Sequence, residues 1–487
     1  MTLPLALPAR DPRETAGQWL YRTLRSAILE GRLRARARLP STRELALQYG
    51  LSRGTIVSTF DQLRSEGYVD ATMGSGTFVA RVLPDRLLTA ARPRVSRAVA
   101  APRRRLSRFA QRLPSLDNAT ERRVRAFRTN EPALDLFPMS VWAQVAGRRT
   151  RGATTQDLAG CGPLGYPPLQ QAVADYLTGS RGASCEAGQV VIVSGTQEAL
   201  DLIARILVDP GDRVAIENPG YIGATQVFEA MGATIVPMPL DEEGATLRGA
   251  ALEAVRLAYL TPAHQFPLGM GMSLGRRLAL LEWARATGAM LIEDDYDSEY
   301  RYSGRPTPAL QGLDRHGVVL FSGSFSKVLF PSLRIGYLVV PPDLVDAFAA
   351  ARAMLVRHGP LLPQAILADF ITEGHFARHV RRMRQVYAER LSVLLESARA
   401  RLGGLLDISE VEAGLQTAGW LGDGIDAEKA ARAALERGVE VTPVGRYSRR
   451  PFGRQGLQLG FAAVDDQEIR RGVRDLAGAL EAVRKAR

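Results

Sequence analysis

From about residue 126 onward, apolar strand-like runs alternate with amphipathic helical ones, and this rhythm limits the fold more than any other feature. VVIVSG is followed by TQEALDLIARILV, and RVAIE by PGYIGATQVFEAMG; TIVPM, RLAYL and AMLIEDD continue the series. Strands that are apolar on both faces must be covered on both faces. The pattern therefore predicts a mostly parallel sheet with helices on either side. Ligands of such α/β folds sit beyond the carboxyl ends of the strands, so polar residues just after strand runs carry the most weight.

Four such places converge. Ser194, Gly195, Thr196 and Gln197 follow VVIV and open a helix, where small residues let backbone N–H groups hold a phosphate. Asp294 and Tyr296 stand just past AMLIE. VVLFSGSFSK ends on Ser324, Ser326 and Lys327, and Arg334 lies seven residues beyond that lysine, ahead of RIGYLVV. Lys327 is one of only three lysines, with Lys429 and Lys485, beside sixty arginines. A phosphate cradle, a carboxylate, a phenol and an amine at one sheet edge are the needs of pyridoxal phosphate. The amine forms a Schiff base with the aldehyde, which a guanidinium cannot do. The carboxylate keeps the ring nitrogen protonated, and Ser and Arg bind the phosphate.

The amino-terminal end reads differently. WLYRTLRSAILEG puts Leu20, Leu24, Ala27 and Ile28 on one helical face, with a stop at Gly31. LPSTRELALQYGLS places a cap at Ser41 or Thr42, Glu44 in the first turn and a stop at Gly50. A third helix starts at the Ser52 cap and carries Ile56, Phe60 and Leu63 on its buried stripe. YVDATMGSGTFVA reads as two strands joined at Gly74–Gly76. This is a helix-turn-helix with a wing. The first residues of its second helix, Ser52, Arg53, Gly54 and Thr55, face a major groove. Arg53 can fork onto a guanine edge or a phosphate, Ser52 and Thr55 can reach either, Arg43 suits a phosphate, and Gly76 sits in the wing.

Charge follows the same division. The formal net charge is +12, yet residues 1–80 hold eleven Arg against seven acids and residues 81–112 ten Arg against one acid, leaving about −1 for the remaining 375 residues. One end is built to meet polyanions. Residues 82–125, rich in Arg, Pro and Ala, read as a solvated tether in which Arg103–Arg105 can graze phosphates. The expected division is a DNA-binding head over 13–81, this linker over 82–125 and a large domain over 126–487. The opening MTLPLALPARDPRE has no basic leader and is not read as a signal peptide. No apolar run approaches a bilayer's thickness, and Cys161 and Cys185 are too few for a disulfide framework, so the expected address is the cytoplasm. His375 and His379 lack further ligands, and no metal is expected.

LPSTRELALQYGLSRGTIVSTFDQLRSEGYVDATMGSGTFVA resembles the winged helix-turn-helix of the GntR family throughout. FRTNEPALDLFP, CGPLGYPPLQQAVADYL, ENPGYIGA, TPAHQFPLGM, EDDYDSEYRY, GSFSKVLFPSLRIGY and GLQLGFA resemble fold-type I aminotransferases. Together they are similar to the MocR/GabR-type transcriptional regulators, from about residue 19 to 465. The resemblance implies Lys327 as the cofactor lysine, Asp294 as partner of the pyridine nitrogen and Tyr296 as donor to the ring oxygen. It implies Tyr221 stacked on the cofactor, and Ser324, Ser326 and Arg334 joining Gly195, Thr196 and Gln197 around the phosphate. Where aminotransferases place an Asn on the ring oxygen, this chain has His264 and Gln265. Where they bind the substrate carboxylate through an Arg, it has Gln458 in LQLGF, with Arg446, Arg449 and Arg454 nearby. A neutral amide there implies weak or absent transamination.

The implied function is a homodimeric, head-to-tail regulator that binds a double-stranded DNA operator. Its large domain holds pyridoxal phosphate on Lys327 and senses a small amine, an amino acid or the cofactor itself. The alternative is a working aminotransferase with a tethered DNA-binding head.

Overall fold

Three helices and a two-stranded ribbon form the amino-terminal part of the computed structural model, which describes residues 7–11, 14–72, 76–81, 104–114, 124–248, 252–304, 308–450 and 453–485. Helix α1 (Ala16–Leu29) begins at a capping box between Thr15 and Gln18, a start that the run of apolar residues alone did not mark. Helix α2 (Thr42–Tyr49) is capped by Ser41, whose hydroxyl accepts from Glu44 N–H while Glu44 reaches back. It stops at Gly50, which takes the left-handed conformation (φ 64°) that glycine adopts without steric cost. Helix α3 (Arg53–Ser65) starts at Ser52 after the single residue Leu51.

Strands β1 (Val69–Thr72) and β2 (Gly76–Val79) pair antiparallel, Thr72 opposite Gly76; the wing residues 73–75, Gly74 among them, lie outside the described residues. Leu20, Leu24, Ile28, Ile56, Phe60 and Leu63 meet in one core closed by Leu45 and Tyr68. The stripes predicted on α1 and α3 therefore face each other.

The chain divides into two units, residues 1–104 and 105–487. Much of the stretch read as a tether, including Arg103, is outside the described residues. Within it a short helix, Arg108–Arg112, is capped by Ser107.

The large unit is organised by an eight-stranded sheet. Its strands are β3 (Val190–Val193), β4 (Arg213–Asn218), β5 (Thr234–Asp241), β6 (Gly244–Ala245), β7 (Val255–Leu260), β8 (Met290–Asp295), β9 (Val319–Ser324) and β10 (Gly336–Val339). They lie in the order β3-β10-β9-β8-β7-β4-β5-β6. From β9 to β5 every pairing is parallel, and β10 runs antiparallel to both neighbours. Val190, Val191, Ile192 and Val193 are all buried, as expected for a strand covered on both faces.

This topology decides where chemistry can occur. The parallel strands all end at one edge, and β10, running the other way, begins there, with Gly336 opposite both Ser324 and Val193. Arg334 is thereby brought to the edge where β3 and β9 end. A second, antiparallel sheet of β11 (Leu406–Ile408), β12 (Gln416–Leu421), β13 (Thr442–Pro443) and β14 (Gly456–Gly460) has the order β11-β12-β14-β13. The 27-residue helix His375–Arg401 and the helix Asp466–Lys485 share its core. Among the described residues no helix is long and apolar enough to cross a membrane.

Candidate functional site

A cavity of about 200 Å3 lies beyond the carboxyl ends of β7 and β8. Thr196, Tyr221, Asp294, Tyr296 and Lys327 line it, and so do Asn130, Tyr259, Thr261 and Phe266. Lys327 Nζ donates to the backbone oxygen of Asn130 over 2.7 Å. Asn130 takes a left-handed conformation (φ 64°), and its own N–H donates to Gln416 Oε1 over 3.0 Å. A residue nearly two hundred positions away thus fixes the lysine.

Asp294 is 4% exposed. Its Oδ2 accepts from Tyr259 Oη over 2.6 Å, while its Oδ1 is buried without a hydrogen-bond partner. Burial, against the opposing effect of the Tyr259 bond, pushes the carboxyl up to about 7, and the charges of Asp295 and Asp297 push the same way. Tyr221 Oη accepts from Gln197 Nε2 over 2.8 Å. Gly223 leaves room for this pair, because an added Cβ would stand 2.5 Å from the Tyr221 ring and 2.1 Å from that Nε2. Phe266 packs edge-on against both Tyr221 and Tyr296, with centroids 5.7 and 5.9 Å away.

At the sheet edge the helix Thr196–Leu207 starts on Gly195, whose φ of 132° suits glycine. The Arg334 guanidinium lies alongside: a Cβ on Gly195 would be 3.7 Å from its Nη1. Ser326 N–H donates to Ser324 Oγ over 3.2 Å, and Ser326 Oγ is buried with no partner. A helix N-terminus, two serines and an arginine form a ready anion cradle.

His264 and Gln265 separate in their tasks. Gln265 Nε2 donates to the backbone oxygens of Phe266 and Pro219, at 2.6 and 3.0 Å, and so braces its own turn. His264 Nδ1 lies 3.0 Å from Asp297 Oδ1 and 3.1 Å from Tyr296 Oη. Gln458, on β14, is fully buried, and neither atom of its amide has a partner. The nearby arginines are engaged elsewhere: Arg446 with Glu428, Arg449 with Glu229, and Arg454 over the Trp420 ring at 4.5 Å. His379 Nε2 is 3.0 Å from Val328 O and His375 Nε2 is 3.3 Å from Glu373. Among the described residues no group of His, Cys, Asp or Glu could hold a metal ion.

On the head, Ser52, Arg53 and Arg43 are exposed and Thr55 is half-buried. Ser52 Oγ accepts from Thr55 N–H over 3.1 Å and lies 2.8 Å from Thr55 Oγ1, so the two hydroxyls are held together at the start of α3. Gly76 lies under the Arg38 side chain, where a Cβ would be 3.0 Å from Nε.

A model of the bacterial regulatory proteins of the gntR family matches residues 17–79, and one of aminotransferase class I and II matches residues 124–476. Over 97% of its length the chain is 42% identical to the probable rhizopine catabolism regulatory protein MocR of Rhizobium meliloti, covering 95% of that protein. The chain belongs to the MocR family. The pyridoxine biosynthesis transcriptional regulator PdxR of Corynebacterium glutamicum is 29% identical over 98% of both proteins. Among solved structures, the alpha-aminoadipate aminotransferase LysN of Thermus thermophilus, complexed with N-(5'-phosphopyridoxyl)-L-leucine, is 30% identical. It has a TM-score of 0.71 and covers 78% of this chain and 98% of that one.

As a MocR-type protein the chain is a DNA-binding transcriptional regulator with a fold-type I, aminotransferase-like domain, and pyridoxal phosphate is its expected cofactor. Its residues fit that group. Asp294 lines the cavity and its Oδ1 is a buried, unpaired acceptor, and Ser326 Oγ is an unpaired donor in the turn that carries Lys327. Sequence reasoning missed Asn130, Tyr259, Thr261 and Phe266. Asn130 stands in the FRTNEPALDLFP stretch, but its contact with Lys327 exists only after folding. Tyr259 reads as one more apolar strand residue.

Proposed function

We propose that Lys327 is the amine that takes the aldehyde of pyridoxal phosphate, and that residues 126–487 use this to sense a small molecule for the head at 13–81. Bound there, the cofactor supplies an electrophilic carbonyl that captures amines and a ring that withdraws electrons. The chain's own groups do the rest. Asp294 would hold the ring nitrogen, with Tyr259 holding one of its carboxylate oxygens. Tyr296 donates to the ring oxygen, and Tyr221, steadied by Gln197, covers the ring. Gly195, Thr196, Gln197, Ser324, Ser326 and Arg334 hold the phosphate. The observation that carries this reading is that Lys327 and Asp294, a carboxylate with an unpaired oxygen, line one cavity.

The effector is a small amine or amino acid, or the cofactor itself, and the neutral Gln458 favours ligands without an α-carboxylate. Arg53 reads a base edge or a phosphate, with Ser52, Thr55, Arg43 and the wing at Gly76 positioning the head on duplex DNA. Residues 82–125 tether head to sensor in a cytoplasmic head-to-tail homodimer whose two heads meet two half-sites.

The test is borohydride reduction of the full-length protein supplied with pyridoxal phosphate, followed by mass spectrometry. A yellow species whose reduced adduct maps to Lys327, absent from Lys327→Ala, is expected. An adduct elsewhere, or none, defeats the proposal.

A further inference from the structure

Away from the cofactor pocket, a second cavity of about 470 Å3 opens between the helix Pro167–Arg181, the loop after β8 and the helix His375–Arg401. Its wall carries four cations, Arg181, Arg301, Arg381 and Arg384, against one acid, Glu299. Two are pinned: Arg384 donates to the backbone oxygen of Glu299 and Arg301 to Glu412 Oε2. Arg381 is exposed on its helix, at the mouth.

The base of the cavity carries the decisive feature. Arg181 is 8% exposed; its Nε donates to Asp295 Oδ2 over 2.7 Å, while its Nη2 is buried with no hydrogen-bond partner. Ser298 Oγ, on the same wall, is buried and unpartnered too. Buried polar groups left unpaired are costly, and these two are both donors that lack an acceptor. Glu299 on the same wall accepts from Tyr176 Oη over 2.7 Å and makes no hydrogen bond to either donor. Burial pushes its carboxyl up, and the charge of Asp295 acts the same way. Asp295 Oδ1 is unpartnered as well but is not part of the wall.

We propose that this cavity is a second ligand site for a compact oxyanion, a phosphate monoester or a dicarboxylate, held by Arg181 Nη2 and Ser298 Oγ at its base and Arg381 at its mouth. Such an anion supplies several acceptor oxygens to donors in a partly desolvated space whose charge the Arg181–Asp295 and Arg301–Glu412 pairs only partly neutralise, and charge-assisted bonds are strong there. Asp294 and Asp295 are successive residues of β8 and point to opposite faces of the sheet. The anion's seat and the cofactor's seat therefore share one strand end without sharing a wall.

Calorimetric titration of the full-length protein with inorganic phosphate, and separately with malonate, tests the site and tells the two sources of the anion apart. At least one of them binds. In the Ser298→Ala/Arg381→Ala double variant that binding weakens about tenfold or more. In Arg334→Ala, which removes the cation of the cofactor's phosphate cradle, the same component survives. Circular dichroism confirms that each variant is folded. Three results overturn the proposal: binding unchanged in the double variant, which assigns the anion to the arginine-rich head or tether; binding lost in Arg334→Ala alone; or no binding of either anion at about 10 mM, which leaves the cavity to water. None of these outcomes depends on whether Lys327 takes the cofactor.

Discussion

Tyr259 Oη donates to Asp294 Oδ2 across the neighbouring strands β7 and β8, and Oδ1 of the same carboxylate is left unpaired. The bond also opposes the rise that burial imposes on the Asp294 carboxyl. Tyr259→Phe removes one donor and little volume. It leaves Oδ2 unpaired and moves the carboxyl further up, so a protonated ring nitrogen is held less firmly. Hydrogen bonds to charged groups are worth about 1.5–3 kcal/mol, so cofactor affinity falls about tenfold or more. Fluorescence titration of cofactor-free protein measures it; equal affinity in variant and wild type defeats the assignment.

The same carboxyl gives the cofactor-free protein a pH signature. Its native value, about 7, lies above the ordinary aspartate value of 3.8, so between these limits the folded protein holds a proton that the unfolded chain has released. Stability from this group therefore falls as pH rises from about 4 to about 7 and is level above that. One unit corresponds to about 1.4 kcal/mol, which puts the swing over about three units on the order of 4 kcal/mol. Asp294→Asn abolishes the titration. Urea unfolding across this range then shows the variant gaining on wild type with each pH step up to about 7. A difference independent of pH refutes it.

The phosphate cradle separates a charge from a hydroxyl. Arg334→Ala deletes the cation beside Gly195 and costs about 1.5–3 kcal/mol of cofactor binding, whereas Ser326→Ala removes one neutral donor and costs about 1 kcal/mol. Because Ser326 Oγ is unpaired in the cofactor-free protein, Ser326→Ala leaves unliganded stability unchanged or slightly raised. Cofactor titration together with thermal unfolding reads both. A Ser326→Ala variant that loses stability and keeps its affinity contradicts the role.

Much of this was legible in the chain, and the parts that were not share a cause. The caps at Ser41 and Ser52, the stop at Gly50 and the stripe Ile56–Phe60–Leu63 are local rules, and the head follows them. The residues closing β3, β8 and β9 were readable because strand ends are local too. Strand order is not. Only the antiparallel β10 brings Arg334 back to the edge where β3 ends, and only the adjacency of β7 and β8 sets Tyr259 against Asp294. The hold of Asn130 on Lys327 spans chain segments with no common periodicity, so nothing in the spacing announces it.

For the head, Arg53 is the exposed first residue of α3, set between the paired hydroxyls of Ser52 and Thr55. Arg53→Ala loses about 1–3 kcal/mol of operator affinity if the guanidinium reads a base, and random DNA is then bound nearly as before. With Arg43 on a phosphate, Arg43→Ala weakens both DNAs alike and lowers the log–log salt slope by about 0.9. Fluorescence anisotropy at several salt concentrations separates the two; identical salt slopes for all three proteins remove Arg43 from the interface.

Gln458 connects to the Lys327 cavity only through its neighbours. It is fully buried, and its amide donor and acceptor both lack partners. It lies diagonally from Gln416 on the same face of the small sheet, since Ala418 pairs with Gln458 and Gln416 with Gly460. Gln416 in turn holds Asn130, which holds Lys327. Gln458 is not among the residues lining the cavity, and a carboxylate that reaches it meets a neutral amide instead of a guanidinium, a deficit of about 1.5–3 kcal/mol. An amine lacking an α-carboxylate should therefore change the cofactor's absorbance at lower concentration than the matching α-amino acid. In Gln458→Arg the ratio of the two half-saturating concentrations shifts toward the amino acid by about tenfold or more. The ratio is taken within each protein, so a general loss of stability or cofactor loading cancels. An unchanged ratio would mean that Gln458 does not face the ligand.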